Sequence, residues 1–217
     1  MKVQLISHSE SVMSVSSNLE GLVAFCARVS NPTNQINGES NEKLIRYLIK
    51  HQHWSPFEMV HICLEIESTR DIIRQILRHR SFSFQEFSQR YAISNMGFEM
   101  KEARMQDTKN RQSSLETNDV DLKETWIEAQ QKVANLAQDT YEWAIDNGIA
   151  KEQARSVLPE GMTVSKIYMN GTLRSWMHYI KLRSGPETQK EHRQIAMECA
   201  AMIEPLFPLI RDFVVSE

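Results

Sequence analysis

VHICLEIESTRDIIRQILRHR, residues 60–80, changes its period halfway along, and that change decides the fold class. Val60, Ile62, Leu64 and Ile66 alternate with His61, Cys63, Glu65 and Glu67, the period of two of a strand with one apolar face. Pro56 stands just ahead of it and introduces the strand. Over 69–79 the apolar positions become Ile72, Ile73, Ile76 and Leu77, a helical stripe, with Arg70, Arg74 and Arg78 on the opposite side. A strand that runs into a helix without a linker argues for mixed α and β structure.

The chain around this stretch supports the same class. Residues 2–7 alternate and predict a short strand, and another is expected around 163–169. Helices are expected over 18–29, opened by Asn18 and stopped before Asn31-Pro32, and from Ser40 or Asn41 onward with Leu44, Ile45, Leu48 and Ile49 on one face. A long helix is predicted over 125–146, ending at Asn147-Gly148. Its stripe of Trp126, Val133, Leu136, Ala137, Tyr141 and Ile145 reads as core or subunit interface rather than a cofactor box. Shorter helices follow at 150–157, 173–183, 187–204 and 206–214, cut apart by Pro159, Gly185-Pro186, Pro205 and Pro208. Residues 94–124 are polar, with a loop at 109–112. No repeat or interdomain linker interrupts the pattern, so the expectation is a helix-rich α+β single domain over 1–217.

Composition narrows the function classes. A chain of 217 residues with 41% hydrophobic and 24% charged residues is ordinary for a soluble globular protein. Lys and Arg total 25 against 28 Asp and Glu, so there is no basic footprint for nucleic acid, and any basic site is local. Cys26, Cys63 and Cys199 are too few and too scattered for a disulfide framework or a thiolate zinc site, which points to a cytoplasmic location. No apolar run reaches the ~20 residues of a membrane span. His51 and His53 with Glu58 lack a further anchor, so no metal is expected.

Chemistry concentrates in Arg78-His79-Arg80-Ser81-Phe82-Ser83-Phe84-Gln85-Glu86-Phe87-Ser88-Gln89-Arg90-Tyr91. A run of charges at helical spacing is ordinarily a solvated face. Here, however, Gln75 stands beside Arg74, and serines, glutamines and Glu86 crowd among Phe82, Phe84 and Phe87. Aromatic bodies, a few polar tips and guanidinium forks are what a pocket needs to orient an anionic ligand.

Arg78-His79-Arg80, seven residues and then Ser88 resemble the RHR-x7-S signature of flavin-dependent thymidylate synthases; Ser83, Glu86, Arg90 and Tyr91 also match. Gln85 departs from the family's usual Asn. Further stretches are similar: Ala27-Arg28-Val29-Ser30, His51 to Glu58, Ala154 to Pro159, and Arg174-Ser175-Trp176-Met177-His178-Tyr179 with Arg183. Thr172 stands where the family carries Asn, and residues 105–125 match nothing in the pattern.

The resemblance implies a small, mostly antiparallel sheet among helices and a homotetramer whose sites are shared between subunits. It implies reductive methylation of dUMP to dTMP, with 5,10-methylenetetrahydrofolate as carbon donor and NADPH-reduced FAD as hydride source. Carried over by position, His53, Ser55, Glu58, Arg78, His79, Arg80, Gln85, Glu86 and His178 line the flavin. Arg74, Gln75, Glu86, Ser88, Arg90, Arg155 and Arg183 hold dUMP. Arg90 and Arg155 suit its phosphate, because a guanidinium is a permanent bidentate donor. Arg183 and Ser88 are the catalytic candidates: Arg183 as a fixed cation near the uracil, Ser88 as a hydrogen-bond donor to the nucleotide.

Two other classes fit less well. A single-strand nucleic-acid platform could use the arginines and phenylalanines, but Glu86 within the strip repels backbone phosphates. A phosphohydrolase wants a carboxylate cluster for Mg²⁺, and none follows the histidines. FAD, if bound, is held without a Rossmann glycine fingerprint, since none of the seven glycines is spaced that way.

Overall fold

The computed structural model describes residues 1–12, 16, 18–36 and 38–215. In chain order the elements are β1 (Lys2–His8), α1 (Leu19–Ala27), α2 (Asn41–Lys50), β2 (His61–Thr69), α3 (Arg70–Ile76) and β3 (Phe82–Glu86). There follow β4 (Arg104–Gln106), β5 (Ser114–Glu116), α4 (Val120–Asp146), α5 (Lys151–Ala154), β6 (Val164–Thr172), α6 (Leu173–Arg183) and α7 (Lys190–Ile203).

Four strands form an antiparallel sheet in the order β1-β2-β6-β3, and β4 pairs with β5 as a separate hairpin. The alternation read at residues 60–67 sets the sheet's two faces. Ile62, Leu64 and Ile66 are fully buried on the helix side with Ile167 and Met169 of β6. On the other face Glu65 is opposite Tyr168 and Glu67 opposite Lys166, and Lys166 Nζ lies 3.1 and 2.9 Å from the two carboxylates. One core holds these strand residues with Ile72, Ile73, Ile76, Trp176, Tyr179 and the apolar face of α7. Trp176 donates its indole N–H to the Ile62 carbonyl at 3.0 Å, so the largest buried ring has its polar atom satisfied.

Two centre strands each continue straight into a helix, β2 into α3 and β6 into α6, with Thr69 and Thr172 at the helix starts. Because β2 and β6 are antiparallel, α3 and α6 leave opposite ends of the pair. Gly171 faces Phe82 of β3, and a Cβ there would lie 2.4 Å from the ring, so only glycine lets the motif strand pair so closely.

Several expectations are corrected. The motif segment after residue 81, for which no element is expected, is the edge strand β3, its five residues in register with β6. Pro56 sits in a 3-10 turn over Ser55–Glu58, and the strand begins at His61. The helix over 69–79 is shorter, ending at Ile76. The 150–157 helix breaks into α5 and a 3-10 turn at Arg155–Val157, and 206–214 is a 3-10 segment, Pro208–Phe213. The polar 94–124 stretch contains the β4–β5 hairpin, whose connection carries the expected loop. On α4 the buried residues are Gln130, Ala134, Ala137, Tyr141 and Ala144, whereas Trp126, Val133 and Leu136 are 44%, 52% and 69% exposed. Three alanines face inward with Tyr141 and Gln130, while Trp126, Val133 and Leu136 are left outside.

Candidate active site

The ends of α3 and α6 meet although 104 residues separate them: Arg183 Nε donates to His79 Nε2 at 2.9 Å. A ring nitrogen accepts only when it carries no proton, so His79 is neutral with its proton on Nδ1. Burial holds its pKa down to about 4, with the Arg183 and Arg78 cations pushing the same way. Its ring stands edge-on to Tyr179 at 4.9 Å. Behind Tyr179 lies His192, its Nε2 3.1 Å from the phenol oxygen and its Nδ1 3.3 Å from Gln75 Oε1. Gln75 Nε2 donates in turn to Gln189 Oε1 at 2.8 Å.

A second group forms along the N-terminal half of α6. Arg174 pairs with Glu58, joining α6 to the Ser55–Glu58 turn. His178 packs edge-on against Trp54 at 4.8 Å, and its pKa is lowered by burial, then by Arg174 and Lys181. His53 and Ser55 are exposed at the same turn, and His53 stands 6.1 Å from both the His51 and Tyr47 rings.

A third group lies at the far end of β3. Glu86 accepts from Arg70 at 3.1 Å. Beyond it Ser88 opens a turn, its carbonyl accepting from the Tyr91 and Ala92 amides at 3.1 and 2.9 Å. Lys151 of α5 donates to the Tyr91 carbonyl at 3.1 Å and Arg90 pairs with Glu152 at 3.4 Å, so the turn carrying Arg155 docks on the Ser88 loop. Gln85 projects from the sheet face that carries Tyr168, its register partner, away from the core.

The arginines divide accordingly. Arg70 is tied to Glu86, Arg74 to Glu160 and Arg90 to Glu152, three carboxylates the spacing argument did not connect to them. Among the described residues Arg78, Arg80 and Arg155 have no carboxylate partner, and Arg183 has only the neutral His79. Arg78 and Arg80 are exposed and Arg155 and Arg183 part-buried, so each guanidinium fork is available to a bound anion. The Ser88 hydroxyl meets no histidine or carboxylate among the described residues, so no nucleophile relay is assembled there. Cys199 is buried and its thiol pKa is pushed far up by that burial, the setting of an inert thiol.

Residues 11–209 match the family model described as "Thymidylate synthase complementing protein". The chain belongs to that family. It is 45% identical over 210 residues to a probable flavin-dependent thymidylate synthase of Paramecium bursaria Chlorella virus 1, covering 97% of each chain. With the flavin-dependent thymidylate synthase of Synechocystis it shares 50% identity over 191 residues, 88% of this chain and 87% of the relative. Its fold superposes with a TM-score of 0.83 on a crystal structure of the UMP/dUMP methylase PolB from Streptomyces cacaoi bound with 5-Br dUMP. That match is 26% identical and covers 98% of this chain and 93% of the other.

The geometry also shows what pattern reading missed. Tyr179, His192 and Gln189 connect directly to Gln75 and His79, and none of them lies in the signature. One signal was available: His192 falls on the α7 stripe of Ile195, Ala196, Cys199 and Ile203, where a polar group is out of place without a partner.

Proposed function

We propose that this chain converts dUMP to dTMP as a flavin-dependent thymidylate synthase, taking the carbon from 5,10-methylenetetrahydrofolate and the reducing electrons from NADPH. The observation that carries the reading is the set of guanidiniums with no carboxylate partner among the described residues, Arg78, Arg80, Arg155 and Arg183, the last held by a neutral His79. FAD fits this donor set: Arg78 and Arg80 suit its pyrophosphate, and His53, Ser55, Glu58, His79, Gln85, Glu86 and His178 supply ring faces and hydrogen bonds along it. When bound it supplies the hydride. Arg155 and Arg90 hold the dUMP phosphate, with Arg74, Gln75, Glu86 and Ser88 on the rest of the nucleotide. Arg183, fixed by His79, places a permanent charge where negative charge develops on the uracil. Ser88 donates a hydrogen bond and does not attack.

The Glu86–Ser88 group lies at the other end of β3 from His79, which favours a homotetramer in which neighbouring chains complete each site. The exposed Trp126, Leu136 and Trp143 on α4 suit such burial. We place the whole chain, 1–217, in one domain. Among the described residues no helix is long and apolar enough to cross a membrane, and the three free cysteines suit a reducing cytoplasm. The test is the visible spectrum of the purified protein, followed by dUMP-dependent NADPH oxidation with methylenetetrahydrofolate present. A flavin spectrum that is lost in Arg78→Ala is expected. Colourless protein that resists FAD reconstitution, or an Arg78→Ala protein that purifies fully yellow, refutes the corresponding part of the reading.

A further inference from the structure

His192 is fully buried, and both of its ring nitrogens touch a polar partner. Burial, Arg183 and His79 together lower its pKa to about 3, so the ring is neutral and offers one donor and one acceptor. Tyr179 is buried too, and its pKa is raised well above the usual phenol value, so it keeps its proton. The phenol O–H needs an acceptor, and His192 Nε2, at 3.1 Å, is the one beside it. The imidazole proton is then on Nδ1, which donates to Gln75 Oε1.

That choice propagates. With its oxygen turned to His192, Gln75 directs Nε2 to Gln189 Oε1, and Gln189 Nε2 donates to Glu191 Oε2 at 2.9 Å. Burial raises the Glu191 carboxyl, but the hydrogen bonds from Arg104, its own backbone amide and Gln189, with the Arg104 charge, together outweigh it and the net pKa is lowered, so the chain of donors ends on a carboxylate. Tyr179, His192, Gln75, Gln189 and Glu191 form one polarised line in which every donor points the same way. The alternative tautomer leaves the Tyr179 proton without an acceptor.

We propose that His192 is a positioning residue that locks the Gln75 amide with its free N–H toward the nucleotide, so that Gln75 meets an acceptor oxygen of the pyrimidine nucleotide and never a donor. This rests on the reading that Gln75 contacts dUMP. Losing one neutral hydrogen bond corresponds to about threefold to tenfold in affinity.

The test is calorimetric dUMP binding to the FAD-loaded full chain, with KM and kcat measured alongside and thermal unfolding as the folding control. Gln75→Ala is expected to weaken dUMP binding about threefold to tenfold. His192→Gln retains an amide only on the Tyr179 side and is expected to match that loss, raising KM with kcat kept. His192→Asn keeps a donor at the Nδ1 position and is expected to bind like the parent. His192→Gln added to Gln75→Ala should cost nothing further. Additive losses, or a His192→Asn protein as weak as His192→Gln, overturn the positioning role alone. A Gln75→Ala protein that binds dUMP like the parent overturns the contact itself, and the proposal with it.

Discussion

Lowering the pH from 7 to 4.5 drives a proton toward a ring that the fold keeps neutral. In the unfolded chain His192 titrates near the ordinary value of ~6.5; in the folded chain its pKa is about 3. Between those values the unfolded state binds more protons. The stabilisation is therefore complete above ~6.5 and is lost as the pH falls toward the folded pKa. At pH 4.5 the unfolded ring is about two units past its midpoint while the folded ring is still neutral, which at ~1.36 kcal/mol per unit costs about 2–3 kcal/mol. His79, with a pKa of about 4, acts in the same direction but is only part-buried, so solvent screens its share. Urea unfolding at pH 7.0 and 4.5, at one ionic strength and one protein concentration, measures the effect. The parent should lose about 2–3 kcal/mol more than His192→Asn, whose amide does not titrate. Equal acid losses in the two proteins would falsify the argument that a buried neutral imidazole sits at this position.

Further outcomes follow from the packing. Gly171→Ala puts a methyl 2.4 Å from the Phe82 ring and should destabilise by about 1–3 kcal/mol, read as a lowered Tm; an unchanged Tm means β3 shifts at no cost. Thr172 accepts from the Ser175 amide at 3.1 Å as the N-cap of α6. Thr172→Ala should therefore cost about 1 kcal/mol while Thr172→Asn costs nothing measurable, and equal losses in the two rule out a capping role. Leu136→Glu on the exposed stripe should leave the far-ultraviolet circular dichroism unchanged and reduce the mass seen by light scattering. An unchanged mass places the subunit contact elsewhere.

How much was readable in advance differs by element. The β2–α3 switch was legible because strand and helix periods are local properties of consecutive side chains, and Asn18 was legible as a cap because its carboxamide reaches only three residues ahead, to Gly21. β3 was not legible. Ser83, Gln85 and Glu86 carry little strand propensity, and β3 depends on a partner strand 81 to 89 positions away, β6, where Gly171 leaves room for Phe82. The outward turn of Trp126 and Leu136 was equally hidden, since a helical stripe names a face without saying what covers it.

By itself the sequence determined the fold class, the family and the membership of the basic strip, because motif spacing and periodicity are short-range. Only the tertiary structure decided which of those charges are free. Arg70, Arg74 and Arg90 meet carboxylates brought in from β3, the Glu160 loop and α5, while Arg78, Arg80 and Arg155 meet none among the described residues. It also decided the protonation of His79 and His192, through Arg183 and Tyr179. Pairing and proton position depend on distances of a few ångströms between residues far apart along the chain, and spacing within a motif carries no information about them.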